Sequence, residues 1–319
     1  MRPAAGLVLA ALVVASCGRE PERRADASPY VVQIDLAPQI RAFGEDTATA
    51  DEAGEQLSLM GPQVIPALAA ALEREPKDVR QKTVEVLSTI GTPEAVPPLL
   101  RVAEHDADED VRADALRALG TIGDERGRPL LETALSDPRT TIRVGGIMGC
   151  ATACTSPAAI ERLADIAVHD ENTAVALAAR TTLTALRGTG ATEDQAVRAA
   201  AEQRRPAALP ASARPDERAL AALLASDLDG AAAIPALLAV VGEASPSLQR
   251  HVAWRCGTLA DERCAAPLGE LLAASDPLVQ AYAYDALVKL RDRGVDGATP
   301  ALAGYAGRRP PGPLAAPEF

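Results

Sequence analysis

The stretch from Asp110 to Leu131, DVRADALRALGTIGDERGRPLL, decides the fold of this chain. From Val111 onward its apolar residues stand at offsets 0, 4–5, 8 and 11, which places them along one stripe of a helix. A turn containing glycine follows, and Pro129 then opens a second apolar run. Proline is favoured in the first turn of a helix, because its missing N–H has no partner there in any case. The stretch therefore predicts two helices joined by a short turn.

The same pattern recurs along the chain about every 32 residues. Val111 lies 32 residues after Val79, and Ile142 lies 31 residues after Val111. Prolines open the second run of other units as well, at Pro66, Pro97, Pro235, Pro267 and Pro300. A fixed period of this length is typical of stacked helical repeats. We therefore predict an all-α protein, a right-handed α-solenoid of about eight two-helix repeats between residues 47 and 305.

The motif DVR-x2-A-x2-AL-G-x-IG, complete in residues 110–123, resembles HEAT repeats, in particular the short repeats of phycobilin lyases. The motif is weaker in residues 174–187 and 216–230. The resemblance implies a HEAT-like solenoid over most of the chain. It leaves the function open, because the same solenoid serves many roles.

The composition argues against several classes of protein. Only 2% of the 319 residues are aromatic although 48% are apolar, so we expect a core of Ala, Leu and Val in thin layers of closely packed helices. A net charge of −12 does not suit a protein that binds nucleic-acid phosphates. Three histidines are few for a multi-His metal centre, and the chain has no His-Glu dipeptide of the kind used by di-iron hydroxylases built on HEAT repeats. We expect no metal, no cofactor and no catalytic group. A weak metal site between the loops at His105 and His169 is the alternative.

The first seventeen residues resemble the signal sequence of a bacterial lipoprotein. After Arg2 comes an uncharged, largely apolar run that ends in VASC at residues 14–17. A run of this length is shorter than the roughly 20 residues that span a bilayer as a helix, but it suits a signal-peptide core. The resemblance implies cleavage before Cys17, acylation of Cys17 and, because Gly18 follows, an outer-membrane anchor facing the periplasm. An ordinary secretory signal and a cytoplasmic protein with an apolar N-terminus are the alternatives.

Composition and repeat pattern together divide the chain into seven segments. The stretch QRRPAALPASARP at residues 203–215 interrupts the repeat, and we expect it to form a loop between two sub-arrays. The expected segments are a signal peptide (1–16), a polar tether (17–29), a short strand or cap (30–46), repeats (47–202), the loop (203–215), further repeats (216–306) and a C-terminal tail (307–319).

Charged residues recur beside the core positions in successive units. Asp78 precedes Arg80 by two residues, as Asp110 precedes Arg112, and Arg143 stands at the equivalent place in the next unit. We interpret them as a structural ladder, in which Asp caps the helix N-terminus and Arg bridges to the neighbouring layer. Their recurrence in register with the core favours this reading over a charge ladder that binds a ligand.

Four further cysteines form two candidate disulfides. Cys256 and Cys264 should face one another across the turn between two helices, and in an exported protein we expect them to be bonded. Cys150 and Cys154 share a helix face, but a regular helix holds such Cβ atoms about 5–6 Å apart, against ~3.8 Å in a disulfide. A bridge between them needs a frayed helix end, which the TSP at residues 155–157 can supply.

Three residues with ring side chains lie at helix positions that face away from the apolar stripe of their own helix. His251 and Tyr282 occupy equivalent places in successive units, and Trp254 lies one turn beyond His251. Trp and Tyr are enriched at the energetic centres of interfaces, so we expect an exposed cluster that binds a partner. The alternative is that the tail at 307–319 folds over the three rings and buries them.

The favoured function is a non-catalytic scaffold or adaptor that holds a protein partner near the membrane. Solenoids bind partners on extended concave surfaces, normally lined by the second helix of each repeat. A role like that of phycobilin lyases, which attach a chromophore to a cysteine, is the second hypothesis. A regulatory subunit of an envelope enzyme complex is the third.

Overall fold

The computed structural model describes residues 35–210, 212–307, 310 and 312–317. The expected signal peptide, tether and Cys17 therefore lie outside the described residues. A short helix, α1 (Ala37–Ala42), leads into the first repeat and buries Ile40 and Phe43. The described part of the segment expected as a short strand or cap is thus helical.

Eight helix pairs follow α1, and the residues that the structure describes contain no strand. Short 3-10 turns open the second helix of several pairs, for example at Gly61–Val64 and Pro93–Ala95. The pairs are α2 (Thr47–Met60) with α3 (Ile65–Arg74), α4 (Lys77–Ile90) with α5 (Val96–His105), α6 (Glu109–Ile122) with α7 (Arg128–Ala134), α8 (Thr140–Ala153) with α9 (Pro157–His169), α10 (Thr173–Arg187) with α11 (Ala191–Glu202), α12 (Pro215–Asp229) with α13 (Ile234–Val240), α14 (Pro246–Leu259) with α15 (Ala265–Leu271), and α16 (Pro277–Asp292) with α17 (Ala298–Ala303).

The local sequence sets where these helices begin and end. The side chains of Asp46, Asp108 and Asp276 accept hydrogen bonds from the first free N–H groups of α2, α6 and α16. Gly91 and Gly123 end α4 and α6 in the left-handed conformation, which glycine adopts without steric cost. Several repeats therefore carry their own start or stop signals.

The core consists of two clusters of buried side chains that meet at α10 and α12. The first cluster runs from α1 to α12, and the second from α10 to α17. Helix α12 contributes a continuous buried run from Ala219 to Ser226, and it packs against α9, α10 and α14. Residues 215–240 would be long and apolar enough to cross a membrane by length and composition alone. A run buried on all sides is equally typical of a central helix in a packed core.

The connection at 203–214 joins α11 to α12, and its described residues contain one 3-10 turn, Pro206–Ala208. The chain continues directly into α12, whose buried side chains belong to both core clusters. The helical layers on either side of this loop therefore share their core.

Candidate functional site

Two arginines of the ladder, Arg80 and Arg143, each tie a first helix to the loop that begins the next repeat. Arg80 of α4 donates from Nε and a terminal nitrogen to the two carboxylate oxygens of Asp106, at 2.7 and 2.8 Å, and also to the carbonyl of Glu75. Arg143 of α8 makes the same paired contact with Asp170, at 3.0 and 3.1 Å. Such paired contacts fix geometry as well as charge. The arginines thus set the spacing between layers.

The ladder varies at its other positions. The buried Arg112 donates to the carbonyl six residues before it, and so does Gln280 in the last repeat. The guanidinium of Arg139, with a smaller contribution from Arg112, holds the pKa of Asp137 below its usual range. The residue at this position of the repeat thus bonds to the loop that enters its own helix, even where it makes no paired contact with a carboxylate.

The predicted capping role of Asp78 and Asp110 is wrong. Both residues lie inside the first turn of their helices, and the capping position is held by Pro76 in α4 and by Asp108 in α6. A carboxylate one turn into a helix still interacts favourably with the free N–H groups. Asp110 in addition contacts Lys77 of the preceding layer at 2.6 Å.

The cysteine pairs differ from what the spacing suggested. Cys150 and Cys154 form a disulfide where α8 ends, since Cys154 has left the helical conformation. Cys256 and Cys264 are free thiols, contrary to the disulfide predicted for them. They face one another across the turn as expected, and the hydrogen bond between them together with burial raises the pKa of Cys256. Each packs as a small apolar side chain inside the second core cluster.

The prediction of an exposed ring cluster is wrong for His251, which the tail contacts as the alternative proposed. His251 is only 3% exposed, while Trp254 and Tyr282 are half-buried. The ring of His251 contacts the carbonyl of Ser247 at 2.9 Å and that of Pro317 in the tail. The C-terminal tail therefore lies on the outer face of α14 and α16, where these rings stand.

Main-chain atoms hold the tail in place. The N–H of Leu314 donates to the Asp285 carboxylate at 3.1 Å, and the ammonium of Lys289 reaches the carbonyl of Leu314 at 3.5 Å. Lys289 and Asp285 themselves pair at 2.6 Å, and Asp285 is only 5% exposed. The ring of Tyr305, where the tail begins, packs against Tyr284 with centroids 5.3 Å apart. We call Asp285 and Lys289 the clamp.

A cluster of arginines on α10 and α14 lies near His251, which contacts the tail, and α12 contributes an aspartate to it. Arg180 contacts Asp227 at 2.6 Å, and Arg255 lies 3.6 Å from the same carboxylate. Arg255 also donates to Ser226, and burial lowers the pKa of its guanidinium. Arg250 precedes His251, and its buried Nε has no hydrogen-bond partner among the described residues. We call Arg180, Arg250 and Arg255 the arginine cluster, in which Arg180 and Arg255 share the carboxylate of Asp227.

The electrostatics of His251 reflect this cluster. Burial lowers its pKa, and repulsion from Arg180 and Arg250 lowers it further. The hydrogen bonds to the carbonyls of Ser247 and Pro317 act in the opposite direction. The tail thus ends, as far as it is described, next to a region of surplus positive charge in a chain whose net charge is −12.

The first helices of the early repeats form a polar groove. It has a volume of about 600 Å³ between α2, α4 and α6, and one of its ion pairs joins adjacent layers. Lys82 contacts both Asp51, at 2.6 Å, and Glu85, at 2.9 Å. Leu59, at the end of α2, is 82% exposed beside it.

Two clefts lie on the side of the second helices. One, of about 360 Å³, includes Arg101 and His105, and the other, of about 920 Å³, includes Arg162 and His169. His169 contacts Asp165 of its own helix at 3.2 Å. The two histidines thus line separate clefts. In the described part of the chain, no three His, Cys, Asp or Glu side chains converge as metal ligands would.

A family model for HEAT repeats matches residues 36–120, 98–184 and 234–316. The chain therefore belongs to the HEAT-repeat family. These ranges correspond to the stacked helix pairs described above. A comparison with curated proteins gave no match.

Several solved structures resemble the chain in fold. The complex of CpcE and CpcF of phycocyanin lyase from Nostoc sp. PCC7120 matches with 21% identity and a TM-score of 0.43, over 46% of this chain and 96% of that chain. Human deoxyhypusine hydroxylase in complex with glycerol matches with 18% identity and a TM-score of 0.34, over 81% and 96%. E. coli YibA matches with 15% identity and a TM-score of 0.47, over 86% and 99%. At these identities the likeness concerns the fold alone.

The sequence patterns did not single out the clamp or the arginine cluster. Asp285 occupies the repeat position that Trp254 occupies one unit earlier, which is the one signal that marked it as facing outward. Arg180 and Arg255 lie at different offsets of their repeats, so a comparison of repeats does not align them.

Proposed function

We propose that the protein is a non-catalytic scaffold that binds a partner protein and is held at the bacterial envelope by a lipid on Cys17. One observation carries the binding role: the outer face of the last two repeats already holds a non-helical segment of polypeptide, residues 312–317. The clamp contacts that segment through the N–H and C=O of Leu314, which every peptide offers except at proline. A surface of this kind suits extended peptides from other chains.

The envelope location rests on the lipobox-like sequence and is tested by removing the acylated residue. We expect Cys17→Ala to move the protein from the membrane fraction to the soluble fraction, because several buried acyl chains provide the anchor. The measurement is fractionation followed by mass spectrometry of the N-terminal peptide. Tight membrane association of the variant, or an unmodified Cys17 in the natural protein, contradicts the proposal.

The scaffold role is tested by crosslinked purification from native membranes with three baits. We expect the natural protein to capture a defined partner, Trp254→Ala to lose it, and Met148→Ala to retain it. Met148 is the matched control, because it is a large apolar side chain, 48% exposed, on the distant helix α8. A partner kept by all three baits places the interface elsewhere. A pigment or metal absorbance that co-purifies with the protein would instead favour a ligand-handling, lyase-like role.

A further inference from the structure

Four side chains at equivalent repeat positions lie on the outer face of α14 and α16, where the C-terminal tail is held. His251 and Tyr282 occupy one position of successive repeats, and Trp254 and Asp285 occupy another, three residues further along each helix. The two helices pack directly against each other. The four side chains therefore mark the corners of a quadrilateral, with two corners on each helix.

The tail crosses this face from one corner to the opposite one. The N–H of Leu314 donates to Asp285 on α16 at 3.1 Å, and the carbonyl of Pro317 contacts the ring of His251 on α14. Packed helices lie about 8–10 Å apart, and three residues advance about 5 Å along a helix, so the diagonal measures about 10 Å. Three residues of any chain span at most about 11 Å, which leaves no length for a detour. The segment therefore passes between the two rings at the other corners.

The tail turns two residues toward the face and two away from it. Leu314 is half-buried and Pro317 is buried, whereas Ala315 and Ala316 between them are exposed. The segment is non-helical, and the chain bends at Ala316. The face thus receives an apolar side chain and, three residues later, a proline.

The clamp fixes which residue lies at α16. Asp285 accepts the N–H of Leu314, and Lys289 reaches the carbonyl of the same residue at 3.5 Å. Asp285 is only 5% exposed and pairs with Lys289 at 2.6 Å, so the two groups hold each other in place. A proline cannot occupy the clamped position in this way, because it has no N–H. The two contacted residues are therefore held in a single register.

The other end of the segment suits proline. Pro317 brings no N–H into its buried position, whereas any other residue would bring a donor that must find an acceptor there. Its carbonyl still contacts the ring of His251. Proline also loses less conformational freedom on binding, because its φ is already fixed. The position therefore favours proline over other apolar residues.

We propose that this face binds non-helical segments of a partner protein in which an apolar residue other than proline is followed three residues later by proline. This specificity rests on the binding role proposed above. The chain's own residues 312–317 carry the same pattern and already occupy the face, so a partner must displace them. The tail thus acts as a competitor within the same molecule and excludes weak partners.

The competition is tested with the full chain and a labelled peptide, GPLAAP, which repeats residues 312–317, by fluorescence anisotropy. Leu314→Pro removes the N–H that Asp285 accepts and so releases the tail, while the face itself is unchanged. Ala315→Ser is the matched control, since Ala315 is exposed and both contacted residues remain. A tail that covers the face about nine-tenths of the time lowers the apparent affinity about tenfold, so we expect Leu314→Pro to bind the peptide about tenfold more tightly than the natural protein and the control. Equal affinity in all three overturns the role of the tail.

The spacing is tested in the Leu314→Pro protein with a permuted peptide. GPLAPA has the same composition as GPLAAP, but its second proline lies two residues after the leucine. We expect it to bind at least about tenfold more weakly, because leucine and proline can no longer be buried together. A third peptide, GPPAAP, places proline at the clamped position and should bind as weakly as GPLAPA. Equal binding of GPLAAP and GPLAPA overturns the spacing rule.

The location of the bound peptide is read from Trp254, the only tryptophan of the chain. In Leu314→Pro, GPLAAP should change the emission of Trp254, and GPLAPA at the same concentration should not. Tyr282→Ala should weaken the binding of GPLAAP, while Met148→Ala on the distant helix α8 should leave it unchanged. Binding that leaves the emission of Trp254 unchanged places the site elsewhere and overturns the proposal without any further variant.

The remaining outcomes separate this specificity from the scaffold role. Exchange of tails between two copies of the chain would give a dimer in sedimentation velocity that Leu314→Pro abolishes, and this result overturns the assignment to a partner protein. Capture of a membrane partner together with failure of GPLAAP to bind overturns the peptide specificity and leaves the scaffold role intact. Binding of GPLAAP without any captured membrane partner contradicts the scaffold role alone.

Discussion

At the residue scale, the structure depends on a few charged side chains that are buried together with their partners. The side chain of Asp106 is 4% exposed and that of Arg80 is 16% exposed. Burial alone would raise the pKa of Asp106, but hydrogen bonds from Arg80 and from the N–H of Asp108 hold it below its usual range. Loss of one partner leaves the other charge buried and uncompensated, which is the costly way to break such a pair.

We expect Arg80→Met to lower the free energy of unfolding by about 3 kcal/mol, measured by urea denaturation at pH 7. Lys77→Met is the control, because Lys77 and its carboxylate partners are much more exposed; its loss should be much smaller than that of Arg80→Met. Asp106 stabilises the natural fold above its ordinary pKa of 3.8, and this contribution disappears as the pH falls through its lower folded value. The difference between variant and natural protein should therefore narrow in acid. Equal losses in Arg80→Met and Lys77→Met would show that the ladder is not structural.

The lowered pKa of His251 predicts how the stability of the protein depends on pH. Its folded pKa lies below the ordinary value of 6.5, so the unfolded chain takes up a proton first as the pH falls. Stability should therefore decline as the pH drops through 6.5, by at most about 1.4 kcal/mol for each pH unit. We expect His251→Gln to remove this decline, measured as the change in urea midpoint between pH 7.5 and 5.5. Parallel changes in both proteins would assign the decline to other groups.

At the element scale, the contact between α6 and α8 depends on glycine. A Cβ built on Gly120 would overlap the carbonyl of Gly149, and one on Gly149 would lie 2.7 Å from the carbonyl of Leu116. The hydroxyl of Thr152 donates across the same contact to the carbonyl of Gly120, at 2.6 Å. The two helices therefore approach backbone to backbone, which no side chain larger than hydrogen allows.

Gly120→Ala tests this contact, because helix propensity predicts that the change stabilises the protein and packing predicts that it destabilises the protein. In an open helix the substitution would stabilise by about 1 kcal/mol. Here we expect a loss of about 2 kcal/mol, because the new methyl forces the helices apart. Thermal unfolding of Gly120→Ala beside Gly242→Ala tests this, since nothing lies within 4 Å of a Cβ at Gly242. A stabilised Gly120→Ala protein would contradict the close approach.

At the scale of the whole molecule, α10 and α12 couple two cores. Leu183 and Leu224 belong to the first cluster, while Leu177 and Leu223 belong to the second. In a solenoid each repeat contacts only its neighbours, so stability is a sum of local terms and of terms between adjacent repeats. Damage at the N-terminal end should therefore stay local, and damage at α12 should spread.

Leu57→Ala and Leu223→Ala test this coupling with the same substitution at two fully buried sites. Each should cost about 3 kcal/mol in its own region. We expect Leu57→Ala to lower the urea midpoint seen by circular dichroism while the Trp254 fluorescence midpoint stays unchanged. Leu223→Ala should shift both midpoints. Coincident shifts in both variants would indicate a single cooperative unit.

The sequence predicted those features of the fold that depend on residues close together in the chain. The proline at the start of the second helix and the direction of the apolar stripe are local properties that residues 110–131 already contained, and the repeat period follows from comparing this stretch with its neighbours along the chain. The prediction of where each helix begins was less accurate. Asp78 and Asp110 were predicted to cap their helices, but each lies two residues after the capping residue. An error of this size changes a hydrogen bond and leaves the fold the same.

The sequence by itself determined a helical repeat protein with an Ala-, Leu- and Val-rich core, since periodicity dictates which face each helix must bury. Only the tertiary structure decided what happens on the opposite face. The clamp at Asp285 depends on where the tail lies, and the arginine cluster depends on side chains from different repeats. The tail covers His251 because it carries its own partners for Asp285 and Lys289, and no local pattern records a contact between residues about 30 positions apart.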